Sequence, residues 1–225
     1  MTTLGKERLS RVELVWQRYG TSWARCSTEL GAVPAGPASL TIGDLTLQGV
    51  VVAGRIGETA PSSWSGIWVN GAAWDTVLKV RPTYQNDDGV RLKTVLKDIA
   101  LDCGGAPLVQ PADLSVGPFW TRPKFNADKS RRTGRDELNA IVSARAMAPW
   151  WVDVAGITRS SARTLGEVAA ISRVTARDLT IGMRRASVDS PAAFVPGSTF
   201  EGARIGRVIV RESDGQGFTV ETWVR

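Results

Sequence analysis

The chain has 225 residues, a formal net charge of +6, 43% hydrophobic residues, nine tryptophans, 23 glycines and no histidine. Histidine titrates near neutrality and is the commonest general base and metal ligand, so its absence excludes most hydrolase and zinc-enzyme mechanisms. No apolar run approaches the roughly 18 residues that a membrane-spanning helix needs, and Met1–Arg8 is charged with no apolar stretch behind it; neither a membrane span nor a secretion signal is read, and synthesis and retention in a cytoplasm are expected.

Val12–Trp16 alternates weakly, and Ser39–Val52 sets Leu40, Ile42, Leu45, Leu47 and Val50 among threonines around a Gly43-Asp44 turn. That is the pattern of paired short strands. The segment Trp64–Trp74 joins an apolar strand to an Asn70-Gly71 turn and carries Trp64, Trp68 and Trp74. It predicts a strand and hairpin whose tryptophans fill a small barrel or sandwich core. The sharper reading turns at least one of the three toward a neighbouring subunit, because buried aromatics anchor interfaces.

A helix follows, with Leu92, Val95, Leu96, Ile99 and Cys103 on one stripe and Arg91, Lys93, Lys97 and Asp98 mostly off it. Asp87 and Asp88 are read as its N-terminal caps and Gly104-Gly105 as its left-handed C-terminal cap. Cys103 sits on the apolar stripe, and with Cys26 it makes the only thiols of the chain. Two thiols without histidine cannot close a four-ligand zinc site, so both are read as buried and free, with a disulfide as the alternative.

Between Ala106 and Thr133 periodicity is lost, and Pro107, Pro111, Pro118 and Pro123 set an extended path past Phe119, Trp120 and Phe125. A segment that long either reaches a partner or is a linker packed on its own protein. The densest basic stretch, Arg122, Lys124, Lys129, Arg131, Arg132 and Arg135, begins within it and is diluted by Asp128 and Asp136. Such runs are more often solvated surface or ion-pair partners than phosphate tracks, and no nucleic-acid-binding motif accompanies this one.

Thr133 with Asp136 resembles a capping box opening a second helix with Leu138, Ile141 and Val142 on one side, stopped by Pro149. Trp150–Val154 and Ile157–Arg159 flank an Ala155-Gly156 turn as a short hairpin. Arg204–Arg211 and Phe218–Val224 form a terminal hairpin with Phe218, Val220, Thr222 and Val224 on one face. The expected fold class is α+β, mainly β: two small β-barrel or sandwich-like modules with two amphipathic helices and a long extended arm. The expected units are an N-terminal β module closed by a helix (1–104), an arm or linker (105–133), and a helix plus C-terminal β module (134–225).

Chemistry without histidine needs paired carboxylates, a Ser-Lys pair or an activated cysteine. Asp87-Asp88 is the best carboxylate pair and is read as helix capping; Glu167, Asp178, Asp189, Glu201 and Glu212 are scattered. Gly54-Arg55-Ile56-Gly57 and Gly202–Gly206 lack the lysine and hydroxyl of a phosphate loop. No catalytic residue, metal ligand or cofactor is assigned, and the chain is not expected to be an enzyme.

The run Leu45–Val52, the tryptophan-rich Trp64–Trp74, the segment Tyr84–Ala100, the helix followed by Trp150-Trp151-Val152-Asp153, and Val195–Phe200 before the last hairpin together resemble tail baseplate and hub proteins of tailed bacteriophages. The resemblance spans most of the chain from about Leu40 onward. It implies linked β-barrel modules with one or two helices, built into trimeric or hexameric rings at the distal tail, in a chain shorter than the larger hub proteins. On that reading the protein is a virion component of the tail, assembled in the host cytoplasm with other tail and baseplate proteins. Candidate interface residues are Trp64, Trp68, Trp74, Phe119, Trp120, Arg122, Lys124, Phe125, Arg131 and Arg132. Two other classes compete. A basic nucleic-acid-binding module would centre on Arg131 and Arg132, and a histidine-free glycan-cleaving tail component would need two carboxylates about 5 to 9 Å apart.

Overall fold

The computed structural model describes residues 1–29, 36–56, 63–79, 83–105, 114–122, 125, 127, 130–145, 147–168, 173–213 and 217–224. Seven strands come first: β1 (Thr2–Leu4), β2 (Glu7–Arg8), β3 (Arg11–Gln17), β4 (Trp23–Thr28), β5 (Gly36–Ile42), β6 (Leu45–Ile56) and β7 (Trp64–Asn70). An inserted segment carries β8 (Tyr84–Gln85), α1 (Leu92–Asp102), β9 (Phe119–Trp120), α2 (Gly134–Ala144), β10 (Trp150–Val152) and β11 (Thr158–Ser160). The chain then closes with β12 (Arg173–Asp178), β13 (Met183–Val188), β14 (Thr199–Phe200), β15 (Ala203–Ser213) and β16 (Phe218–Val224).

Among the described residues, twelve strands form one antiparallel sheet in the order β12-β13-β16-β15-β3-β4-β7-β6-β5-β1-β2, with β14 on β15. The β15–β3 ladder runs from Arg207 opposite Gln17 to Ser213 opposite Arg11, so the two ends of the chain share the sheet. The mainly β, α+β class with two helices therefore holds. The two barrel-like modules do not: neither half closes a sheet of its own, and the division into 1–104, 105–133 and 134–225 crosses the shared one. The physical reason is the edge. A terminal hairpin left alone would expose unpaired backbone groups on both sides, and pairing β15 with β3 removes one such edge from each half.

The sheet curls. Leu4, Leu40, Ile42, Leu45 and Leu47 from its β6–β1 side share one hydrophobic cluster with Ala186, Val188, Val208, Val210 and Val220 from its β13–β15 side. The β5–β6 turn is pinned to the far side by Asp44, which accepts hydrogen bonds from the Ser190 hydroxyl and, at 3.3 Å, from the Ala192 N–H.

Tryptophan and glycine act together in this core. Gly54 and Gly66 face each other across β6 and β7, and the Trp64 indole lies over both: a Cβ on Gly54 would sit 2.3 Å from the ring nitrogen, and one on Gly66 2.1 Å from the ring. Trp68 covers Gly49 in the same way and donates its ring N–H to the Ala38 carbonyl at 2.8 Å. The glycines are sockets for indoles, which explains Gly54 without any phosphate loop.

The Asn70-Gly71 pair is not a hairpin turn. The neighbours of β7 are β4 and β6, and at Asn70 the chain leaves the sheet for the insertion. Asn70 is fully buried and donates its side-chain amide to the Asp153 carbonyl at 3.1 Å, while Gly71, at φ +74°, donates its N–H to the Gln48 carbonyl. A left-handed residue lets the chain turn away while its N–H stays bonded.

The insertion has a second core of Trp74, Val95, Leu96, Ile99, Leu138, Ile141, Trp150 and Val152, among others. The α1 stripe faces it as expected. The expected caps at Asp87 and Asp88 are displaced: the N-cap is Arg91, with no side-chain cap. Val90 is held extended by backbone bonds with Gly117 and Val116, and the Leu92 N–H is satisfied by the Leu114 carbonyl at 2.8 Å. A strand-like neighbour distant in sequence replaces the cap. At the other end Gly104 is left-handed at φ +69° and the Gly105 N–H reaches the Ala100 carbonyl. The Thr133–Asp136 capping box of α2 forms as the sequence predicts.

Cys26 lies in the first core and Cys103 in the second, both free and buried. Burial pushes each thiol from 9.0 up to about 12. Because the folded protein keeps its protons longer than the unfolded chain, these groups favour folding fully below about pH 9 and lose that contribution as pH rises toward 12. Neither thiol should react with Ellman's reagent at pH 8 until denaturant is added, and urea melts should show stability falling above pH 9 by about 1.4 kcal/mol per pH unit per thiol. Gly66→Ala, whose Cβ would also meet the Ala53 carbonyl at 2.6 Å, should cost about 1–3 kcal/mol in the same melts.

Candidate assembly surface

The face of the sheet opposite the first core is built from rows of side chains running across the strands, because every second residue of each strand points outward. One row contains Arg185, Glu221, Ile209, Val15 and Trp23, from β13, β16, β15, β3 and β4. The next contains Ser187, Thr219, Arg211, Glu13 and Arg25. At the end of the sheet a third row contains Met183, Trp223, Arg207 and Gln17.

In the first two rows, both carboxylates are met by two of the three arginines, and the third, Arg25, lies 5.5 Å over the Trp23 ring. The Glu221 carboxylate, on a residue only 5% exposed, accepts from Arg185 at 2.8 Å and pairs with Arg211 at 2.9 Å, and Arg211 donates to Glu13 at 2.8 Å. Burial alone would raise the Glu221 pKa; the two arginines outweigh it and hold the carboxyl below its usual 4.5. Two carboxylates and two guanidiniums thus stitch four adjacent strands.

The end row is different. The Arg207 guanidinium stacks 4.3 Å over Trp223, and beside it Arg18 stacks 4.9 Å over Tyr19. Arg18 donates to the Arg163 carbonyl at 3.0 Å. Arg163 itself is buried against Trp16 and Trp151, donates to the Gln17 carbonyl at 3.1 Å, and has its pKa pushed down to about 10 by burial. This backbone-bonded guanidinium ties the strand end of β3 to the segment after β11.

The sheet also presents an edge. Among the described residues β12 pairs only with β13, and the turn between them exposes Leu179 at 73% and Ile181 at 58%. Glu201, in a two-residue turn at φ +48° next to Gly202 at φ +75°, binds Arg177 of β12 and Arg184 of β13. The edge hairpin is therefore anchored just below its turn, and the turn itself carries apolar side chains into water.

The sequence-predicted residues do not gather on this surface. Trp64 and Trp68 are buried in the first core, and Trp74 in the second, edge-on to Trp150. They fill cores, and a contact with a neighbour through them does not fit their burial. Phe119 and Phe125 are 59% and 47% exposed, while Trp120 packs on the second core and β9 pairs with β8. Arg122 is buried, 3.4 Å from Asp102 and over the Tyr84 ring. Arg132 pairs with Glu137, and Arg131 is exposed. Lys124 lies outside the described residues. The described part of the extended segment thus packs on its own chain, the linker alternative, and Arg122, Arg132 and Arg135 are engaged by Asp102, Glu137 and Asp75. Sequence reasoning missed the Arg–Glu rows, although Arg207, Ile209 and Arg211 alternate visibly, and it missed the apolar tip, although Leu179-Thr180-Ile181-Gly182 sets large apolar residues beside a glycine.

These elements define a mainly β protein: one curled antiparallel sheet, a two-helix insertion, and a broad ionic outer face. Its fold is similar to that in the crystal structure of the tail protein from Neisseria meningitidis MC58, with a TM-score of 0.60 over 98% of this chain and 95% of that one. The two sequences are 10% identical, so the likeness establishes a shared fold. No protein-family model matches the chain, and no curated protein sequence matches it.

Glu221 contributes stability above the ordinary carboxyl range and loses it as pH falls through its lowered value. Melting temperatures should therefore fall on acidification below about pH 4.5 more steeply for the native protein than for Glu221→Gln, which should already be less stable at pH 7.

Proposed function

We propose that the protein is a structural component of a bacteriophage tail, placed at the tail tip or baseplate, that works by assembling with other tail proteins and with copies of itself in a trimeric or hexameric ring, without catalysis. The observation that carries this reading is the likeness of fold to a tail protein over almost the whole of both chains. The surface supports it. An assembly subunit needs aromatic and arginine anchors on a rigid scaffold, since a few such residues dominate interface energy. Here β12 offers an edge that is free among the described residues, and Leu179 and Ile181 form an apolar tip on a hairpin held just below its turn by Glu201. In this reading the protein resides in the virion tail after assembly in the host cytoplasm. The nucleic-acid alternative loses support because most of the described cations in its basic stretch are paired within the chain.

Light scattering over a concentration series, alone and with the proteins encoded alongside it, tests the reading. Defined trimers or hexamers, or a stable complex with those partners, are expected. The double substitution Leu179→Asp with Ile181→Asp should abolish assembly while changing monomer stability by no more than about 0.5 kcal/mol, as for other exposed sites. A strict monomer that ignores those partners would overturn it.

A further inference from the structure

The end of the sheet holds a groove whose lining, among the described residues, carries positive charge and no acidic side chain. Its larger part, a cavity of about 510 Å³, is lined by Gln17, Arg18, Tyr19, Ile181, Arg207 and Trp223 together with Gly206 and Val224. A smaller part of about 340 Å³ lies against α2 and the β3–β4 turn, with Thr21, Arg135, Asn139, Ser143 and Trp150 among its walls. Gln17 and Tyr19 line both parts, so the two adjoin in one depression. Among the described residues, no aspartate or glutamate lines either part.

Three arginines serve this groove in different states. Arg135 is engaged, bonded to the Thr21 hydroxyl and to Asp75. Arg18 and Arg207 have no carboxylate partner among the described residues; each is stacked on its own aromatic ring. Stacking on a ring face fixes the plane of a guanidinium while its N–H groups can still meet a carboxylate; Arg18 spends its Nε–H on the Arg163 carbonyl, so the terminal N–H groups are the ones it would offer. Arg207 is aimed by an irregularity: the β15–β16 register shifts between Ile205 and Arg207, leaving Gly206 as the extra residue. Bulges of this kind re-aim side chains beside sites. The Gly206 carbonyl meanwhile accepts from the Arg18 N–H at 2.9 Å, so the two cations are placed by one backbone contact.

The rest of the lining distinguishes the occupant. Ile181, exposed at 58%, and the Trp223 ring form an apolar wall beside the two cations. Gln17, Thr21, Asn139 and Ser143 supply neutral donors and acceptors along the middle. A phosphate backbone would leave the apolar wall wet, and two arginines are few for tracking one. An extended peptide with alternating acidic and apolar side chains meets all three requirements, its carboxylates on the arginines, its apolar groups on Ile181 and Trp223, and its backbone on the neutral polar strip.

We infer that this groove seats an extended acidic segment of a partner polypeptide, with Arg18 and Arg207 receiving its carboxylates. The inference goes beyond the tail reading, which shares only Ile181 with this groove, and its test does not depend on assembly. Fluorescence anisotropy of the full chain would be measured with a fluorescein-labelled octapeptide alternating glutamate and leucine, with its glutamine counterpart, and with a labelled single-stranded oligonucleotide. The glutamate peptide should bind saturably and the glutamine peptide at least about tenfold more weakly, as expected when charge pairs carry recognition. Arg18→Glu with Arg207→Glu should weaken the glutamate peptide by about tenfold or more, Arg207→Glu alone by less, and Arg11→Glu at the other end of β3 not at all. Thermal melts establish that each variant is folded, and the exposed single variant at Arg207 keeps the test open should the double variant unfold. Three results would overturn the inference: no binding of the glutamate peptide, equal binding of the glutamine peptide, or indifference to the charge reversals. Tighter oligonucleotide binding that the double variant abolishes would also overturn it and assign the groove to phosphate.

Discussion

The pairing of β15 with β3 brings residues near the two ends of the chain into one ladder, from Arg207 opposite Gln17 to Ser213 opposite Arg11. Everything else is arranged around that contact. It converts two incomplete sets of strands into a sheet wide enough to curl over a single core, and it removes the edges that each set would otherwise present to solvent. Because the segment between β7 and β12 lies outside the ladder, it is free to build its own core of two helices and a short hairpin. The cost of closing so long a loop grows only slowly with its length, so a large insertion between paired strands is thermodynamically tolerable.

The insertion is fastened by polar contacts at the points where the chain leaves and re-enters the sheet. Asn70 reaches the Asp153 carbonyl, Gln48 exchanges backbone bonds with Gly71 and Val154, and Gly20 donates to the Trp150 carbonyl. Arg163 adds a buried guanidinium against two tryptophans, bonded to the Gln17 carbonyl. A buried cation is costly unless hydrogen bonds and ring faces replace its water. Here they hold the strand ends of β3 and β4 against β10 and β11, which is also where the positive groove opens.

The outer face shows how one sheet can separate stability from recognition. Rows that include Glu13, Arg185, Arg211 and Glu221 satisfy one another across four strands and leave little net charge to attract a partner. One row further along, Arg207 is set on an aromatic ring without an acid opposite it. The difference is a matter of register. On the row that contains Ile209, Glu221 stands next to Arg185 and within reach of Arg211, whereas the residues opposite Arg207 are Gln17 and Trp223. Charge left uncompensated in a concave, partly apolar setting is worth more to an incoming ligand than the same charge on a flat wet surface.

Local patterns were sufficient for much of this architecture. The hairpins at Ser39–Val52, Trp150–Arg159 and Arg204–Val224, the apolar stripe of α1, its glycine terminus and the Thr133–Asp136 box all follow from spacing and turn chemistry within a few residues, and each is present in the structure. The mainly β class follows from the same signals. What the sequence could not decide is which strands meet across long separations, since β15 and β3 carry the same alternation whether they pair with each other or serve as edges. That choice was made by burial of the shared core, and it replaced two modules by one sheet. It also moved Trp64, Trp68 and Trp74 from candidate contacts into interiors, and spent Arg122 and Arg132 on Asp102 and Glu137. Composition by itself determined that imidazole chemistry is absent, because no fold can supply a side chain the chain lacks. Only the tertiary structure decided which of the described arginines meet a carboxylate, because pairing depends on register across strands that lie far apart in sequence.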